Sequence, residues 1–190
     1  LPNMEEMLKR KYTNCINFEH TVFITEPYVE HLLSKHGFKK VVKQYFKDDH
    51  SIFYAYIKDS NVKTINLPNN LYEYNKNLYL DYVDYFNKLI KEINTKISNI
   101  KDNRPIYLFG AHIFSQYLIE FGLDIARIEC ILDNDESKQG KRLYGSNLIV
   151  KSPKNLLYVK NPIVILKAGA YNKEISRSIL ADNSNTTFWE

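Results

Sequence analysis

The chain has 190 residues, 44% hydrophobic and 25% charged, which suits one large or two small globular domains and excludes a disordered chain. A net charge of +4 suits a protein that meets anionic small molecules and is too weak to argue for nucleic acid. The two cysteines, Cys15 and Cys130, form no CxxC pair, so neither a metal site nor a secreted disulfide framework is read. With no apolar run of membrane-spanning length and no signal peptide, a cytoplasmic protein without a membrane partner is expected.

In chain order, the first feature is Asn17-Phe18-Glu19-His20, an acid beside an imidazole, followed by the hydrophobic run Thr21 to Thr25. Two readings stand: a polar step at a strand edge, or an acid/base unit. A neighbouring carboxylate raises an imidazole's proton affinity and fixes its orientation, as a general base requires. Pro27-Tyr28 opens a short helical pattern in which Val29, Leu32 and Leu33 share a face and Gly37 is the stop. Two strand-like runs, Phe38 to Phe46 and Ser51 to Ile57, are joined by Lys47 to His50 and predict a hairpin. A lone helix and hairpin cannot bury both sheet faces, so residues 1–60 read as the tail of a larger α/β domain. His50, at the hairpin tip, is either an exposed turn residue or a substrate contact.

Residues 61–104 hold a turn-rich link and a long helix whose Leu78, Tyr82, Tyr85, Leu89, Ile93 and Ile97 form one apolar stripe. This stripe reads as core, and the helix as a connector. Residues 105–190 predict a small α/β unit. Pro105 to Gly110 is a buried-type strand, Ala111 to Gly122 a helix, Arg127 to Asp133 a second strand, Pro162 to Lys167 a third, and Tyr171 to Ala181 a helix. Strand, glycine turn, helix, and a strand with a terminal acid is the pattern of a Rossmann-like parallel sheet.

Each of those three strands runs into a loop with polar or small residues. Gly110-Ala111-His112 keeps only the first glycine of the dinucleotide fingerprint, which disfavours a nicotinamide oxidoreductase. The next helix can still offer free N–H groups to a phosphate. Asp133 and Asn134, with Lys138-Gln139-Gly140, place an acid where a ribose hydroxyl is met in such folds, or are simply a solvated loop. Tyr171 and Asn172 stand after small residues that let a ligand approach the backbone, and are read either as base or sugar contacts or as a helix cap.

Taken in order, these segments resemble the C-terminal part of the S-adenosylmethionine-dependent sugar C-methyltransferases, which act on nucleotide-linked deoxysugars. The resemblance rests on Asn17-Phe18-Glu19-His20, Gly37-Phe38, Asp49-His50-Ser51, Gly110-Ala111, Asp133-Asn134-Asp135 with Lys138-Gln139-Gly140, Tyr144-Gly145-Ser146, and Tyr171-Asn172-Lys173-Glu174-Ile175. Asn17 stands where the family usually has Tyr, and the hairpin lacks the family's paired glycines. The family's zinc-binding cysteines and glycine-rich S-adenosylmethionine loop are also absent from this sequence. The resemblance therefore implies a C-terminal fragment. Residues 1–60 would close a methyltransferase domain, 61–104 would connect, and 105–190 would be the appended Rossmann-like domain. Zinc and most of the S-adenosylmethionine site would lie in the part upstream. It further implies His20 as general base, Glu19 as its support, and His50, Gly110, Ala111, Asp133, Asn134, Lys138, Tyr171 and Asn172 as substrate contacts. The competing class is a non-catalytic Rossmann-like nucleotide-binding or regulatory module. Neither reading fixes an oligomeric state.

Overall fold

Apolar runs with no polar alternation, such as Ile106 to Phe109 and Ile163 to Ile165, form stable strands only when both sheet faces are covered. A computed structural model of the chain, which describes residues 1–16 and 22–190, places both runs at the centre of such a sheet. The chain divides into two compact units. One comprises Leu1–Lys11 and Cys15–Asp84, the other Tyr12–Asn14 and Tyr85–Glu190.

The second unit contains strands β3 (Ile106–Phe109), β4 (Ile128–Leu132), β5 (Val150–Lys151), β6 (Ile163–Ile165) and β7 (Thr187–Trp189), all parallel, in the order β5-β4-β3-β6-β7. Counted from β3, this is the 3-2-1-4-5 order of a doubly wound sheet, so the fold is α/β and Rossmann-like. Two strands, β5 and β7, were not anticipated. They have two and three residues and carry little hydrophobic pattern, and their backbone groups are held by a neighbour already in place.

Side chains alternate across the sheet. Tyr107, Phe109, Cys130, Leu132, Val164 and Leu166 share one buried cluster with Ile179 of helix α5 (Asn172–Asp182) and with Leu156, whose segment makes a 3-10 turn at Pro153–Leu156. Ile106, Leu108, Ile131, Ile163 and Ile165 point the other way and are also fully buried. On α4 (Ile113–Glu120) Tyr117 stacks on Phe121 and meets Phe86 edge to face. Phe86 belongs to helix α3, Leu71–Asn99.

The unit boundary falls inside α3, between Asp84 and Tyr85, so the helix read as a connector contributes one half to each unit. Its buried residues from Tyr82 onward are Tyr82, Phe86, Leu89, Ile90, Ile93 and Ile97. The observed stripe is therefore rotated from the predicted one: Phe86 and Ile90 are in, and Tyr85 and Leu78 are only half-buried. The helix also begins at Leu71, seven residues before the first predicted stripe position.

The first unit holds α1 (Met4–Lys9), α2 (Glu26–Lys35) and the antiparallel hairpin of β1 (Phe38–Phe46) and β2 (Ser51–Lys58). Helix α1 was not anticipated; its six residues are too few for a periodic signal. The chain start lies along β2, where Ile52 N–H donates to Leu1 C=O (2.8 Å) and Asn3 N–H to His50 C=O (3.0 Å). Helix α2 faces β1, with Lys43 bonded to Glu26 and Lys40 to Glu30. Gly37 closes the helix at φ +77°, a left-handed stop that residues with a Cβ rarely adopt. Of the three residues expected to share a covered face, Val29 is buried, Leu33 is half-buried and Leu32 is exposed.

Candidate functional site

In a doubly wound sheet, chains diverge where the strand order reverses, and ligands bind in the crevice outside the carboxyl ends at that point. Here the reversal lies between β3 and β6. Leu108 pairs with Ile165 and Phe109 with Leu132. Continuing both registers sets Gly110 between Asp133 on one side and Lys167 on the other.

The backbone leaves β3 at Gly110 with φ +103°, a left-handed value that glycine adopts without penalty. A Cβ there would sit 3.5 Å from the Phe114 ring, an ordinary contact, so conformation rather than space calls for glycine. Gly110 N–H donates to Leu132 C=O at 2.7 Å. His112 is an exposed N-cap residue with no side-chain capping bond. The Ser115 and Gln116 N–H groups turn back to His112 C=O, so the first-turn N–H groups of Ile113 and Phe114 have no partner within the helix. That end of α4 is electropositive.

Asp133 is buried, and its carboxylate is already engaged. Oδ2 accepts the Ala111 N–H at 2.7 Å and a longer contact from Lys138 Nζ at 3.4 Å; Oδ1 accepts the Asp135 N–H at 2.9 Å. The side chain thus ties the turn after β3 to the turn after β4. Gln139 donates to Asp133 C=O, and Gly140, at φ +77°, donates its N–H to Val150 C=O at 2.9 Å. Lys138-Gln139-Gly140 therefore returns the chain to β5, and Asn134 remains exposed. Hydrogen bonds from the Ser137 hydroxyl and N–H hold Asp135 below the usual carboxylate range.

After β6, Asn172 closes its own loop: Oδ1 accepts the Ala168 N–H at 2.7 Å and Nδ2 donates to Leu166 C=O at 3.3 Å. Both polar ends of this predicted ligand contact serve the backbone, while Tyr171 beside it is exposed. Three residues that sequence reasoning did not single out complete this end. Thr13, fully buried, donates its hydroxyl to Lys167 C=O at 2.8 Å. The Tyr12 ring lies where a Cβ on Gly169 (φ +58°) would come within 3.1 Å of it. Lys167 Nζ lies 3.0 Å from the Tyr85 hydroxyl. No local pattern marks them, because each acts through a partner more than eighty positions away.

The structure thus gathers Gly110, Ala111, Asp133 and Lys138 in one network and sets Tyr171 and Asn172 at the neighbouring strand end. His50 belongs to the first unit, in the turn between β1 and β2, where its Nδ1 lies 2.9 Å from Ser51 Oγ. Burial, with a smaller push from Lys47, lowers its proton affinity below that of a free imidazole. Glu19 and His20 lie outside the described residues. Among the described residues, no group of three or more His, Cys, Asp and Glu side chains is placed to hold a metal, and no helix is long and apolar enough to cross a membrane. Cys15 and Cys130 are buried thiols, and burial pushes the Cys15 thiol up to about 12.

No family model matches this sequence, and no curated protein matches it.

Proposed function

We propose that the chain forms the C-terminal part of an S-adenosylmethionine-dependent C-methyltransferase acting on a nucleotide-linked keto-deoxysugar, with the β3/β6 crevice receiving the nucleotide portion. The observation that carries the reading is the meeting, at the strand-order reversal, of an open helix N-terminus with the Gly110 and Asp133 loops. Those loops also carry the motifs behind the family resemblance. A phosphate-bearing ligand suits that end of a sheet. Forming a carbon–carbon bond to the sugar requires a proton to leave the carbon alpha to the keto group. His20 is assigned as the base and Glu19 as its orienting partner. Bound S-adenosylmethionine supplies an electrophilic methyl group on a good leaving group, and its site is assigned mainly to sequence upstream of these residues. What remains for the protein is to deprotonate, align and stabilise the enolate.

The test is methyl transfer from labelled S-adenosylmethionine to a nucleotide-linked keto-deoxysugar by the protein with its upstream region. A general base contributes about a hundredfold or more. His20→Ala is therefore expected to lose at least about that factor in kcat while still binding the nucleotide-sugar. Near-normal turnover would sink the assignment. The second reading, a non-catalytic nucleotide-binding module, is favoured by one observation: every strand-end loop of the crevice belongs to a single unit that needs neither Glu19 nor His20. Nucleotide binding without methyl transfer by the same protein would select it.

A further inference from the structure

A lysine at a protein surface ordinarily lies beside a carboxylate or projects into water. Lys138 adopts the first arrangement, with Asp133 at 3.4 Å and Asp135 at 3.8 Å. Lys167 adopts neither. It is half-buried, and among the described residues it forms no ion pair. Its ammonium instead meets a neutral phenol: Nζ lies 3.0 Å from the Tyr85 hydroxyl and 5.3 Å from the centre of the same ring.

The residue is fixed at both ends. Its carbonyl takes the hydroxyl of buried Thr13 at 2.8 Å, and its side chain ends on Tyr85 of α3. The next loop is held in turn by Asn172 and by the Tyr12 ring against Gly169. An ammonium has three N–H donors, and Tyr85 uses one. With no carboxylate beside it among the described residues, the ammonium keeps donors that an anion can take. The register of β3 and β6 puts this residue beside Gly110, at the strand-order reversal.

We infer that Lys167 is the anion-binding residue of the crevice, donating to a phosphate oxygen of a nucleoside diphosphate, with Tyr85 and Thr13 as the positioning residues that hold it ready. The inference rests on the nucleotide-binding reading of the β3/β6 crevice and adds the residue that recognises the phosphate. The Asp133 network then serves to set the Gly110 turn, and the ammonium supplies the charge recognition.

Isothermal titration with dTDP, UDP and GDP, and with the corresponding nucleosides, tests this on the wild-type chain and on Lys167→Met, Lys167→Arg and Tyr85→Phe. Methionine keeps the aliphatic stem over Tyr85 and removes the charge. A charged hydrogen bond is worth about 1.5–3 kcal/mol, so Lys167→Met should weaken the best diphosphate by about ten- to a hundredfold. Nucleoside binding should be unchanged. Arginine should recover part of the loss, and Tyr85→Phe should cost about two- to fivefold. Raising NaCl from about 50 to about 500 mM should weaken the wild type more than Lys167→Met, a response that a purely structural lysine would not give. Equal diphosphate affinity in wild type and Lys167→Met overturns this inference and leaves the nucleotide-binding reading standing. No binding of any diphosphate by the wild type overturns both. Should Lys167→Met fail to fold, the salt response of the wild type and the affinity of Tyr85→Phe decide: a salt-insensitive diphosphate site that ignores Tyr85→Phe overturns the inference.

Discussion

The two β-structures of this chain solve the same problem to different degrees. In the five-stranded parallel sheet, side chains pointing both ways are buried: Tyr107 and Phe109 to one side, Ile106 and Leu108 to the other. In the β1/β2 hairpin the described residues cover only one side. Ile52 is buried and Tyr54 and Tyr56 half-buried, whereas Val42, Phe46, Phe53 and Ile57 are exposed, by between 39% and 67%. Both segments read as strands because both are rich in β-branched and aromatic residues. The difference lies in how the strands are connected. The parallel strands are joined through helices and turns that fold back over the sheet. The hairpin is joined by a tight turn whose Lys47, Asp48 and Asp49 all have positive φ, and such a turn brings no covering layer with it. Strand pattern marks a buried face, and the connections decide whether the chain itself supplies the cover.

The sharpest break of this comparison is a cavity in the closed sheet. Ile165 is fully buried on the interior strand β6, paired with Leu108 on one side and Trp189 on the other. Ile165→Ala removes buried methyl groups from a site hemmed in by neighbouring strands, and should cost about 2–5 kcal/mol. Urea unfolding tracked by far-UV circular dichroism measures it. A loss below about 1 kcal/mol would mean that the sheet is loosely packed and differs from the hairpin in degree only.

A smaller effect is expected at the strand ends. Asp133→Ala leaves the Ala111 and Asp135 N–H groups without their carboxylate acceptor and breaks the link between the turns after β3 and β4. Replacing a part-buried, charge-assisted acceptor costs about 1–3 kcal/mol. The Lys138 contact, which is more exposed, adds little. Amide hydrogen exchange should show faster exchange at Ala111 and Asp135, with the β3 core amides unchanged. A uniform rise across the sheet would mean that Asp133 supports the whole fold rather than the loop.

Much of the architecture was legible because the runs 105–110, 127–133 and 162–167 are too short for helices, and a glycine ends the first of them. The order strand, glycine turn, helix, strand with acid predicted the parallel unit, and the turn at Gly110 is where that pattern placed it. The illegible parts have physical causes. The two-residue β5 and three-residue β7 have no periodicity to detect and exist because β4 and β6 offer open edges. Asp133 and Asn172 were recognisable as polar residues at strand ends, but sequence does not say whether a carboxylate or amide serves a ligand or its own backbone. Here the hydrogen bonds show that both serve the backbone. Lys167 stood in a recognised segment, yet its distinction comes from Tyr85 and Thr13, which the fold alone brings to it. The stripe on α3 was misread by a fraction of a turn because tyrosines are amphipathic: Tyr82 is fully buried, while Tyr85 keeps its hydroxyl toward Lys167.

The smallest expected effect sharpens the comparison from the hairpin side. Phe53 is 59% exposed and Phe46 is 67% exposed, so more than half of each residue's surface stays in water on folding. Threonine keeps strand propensity and removes the aromatic surface. The double variant Phe46→Thr/Phe53→Thr should therefore lie within about 0.5 kcal/mol of wild type, as surface changes do. It should also reduce aggregation on concentration, because exposed aromatic residues on a strand favour association. Equilibrium unfolding and light scattering read these two quantities separately. A stability loss above about 2 kcal/mol would show that the face is covered in solution and remove the contrast with the five-stranded sheet. Unchanged stability with reduced scattering would show a folded hairpin whose second face the described residues leave open, the condition that the parallel sheet avoids by enclosing both of its faces.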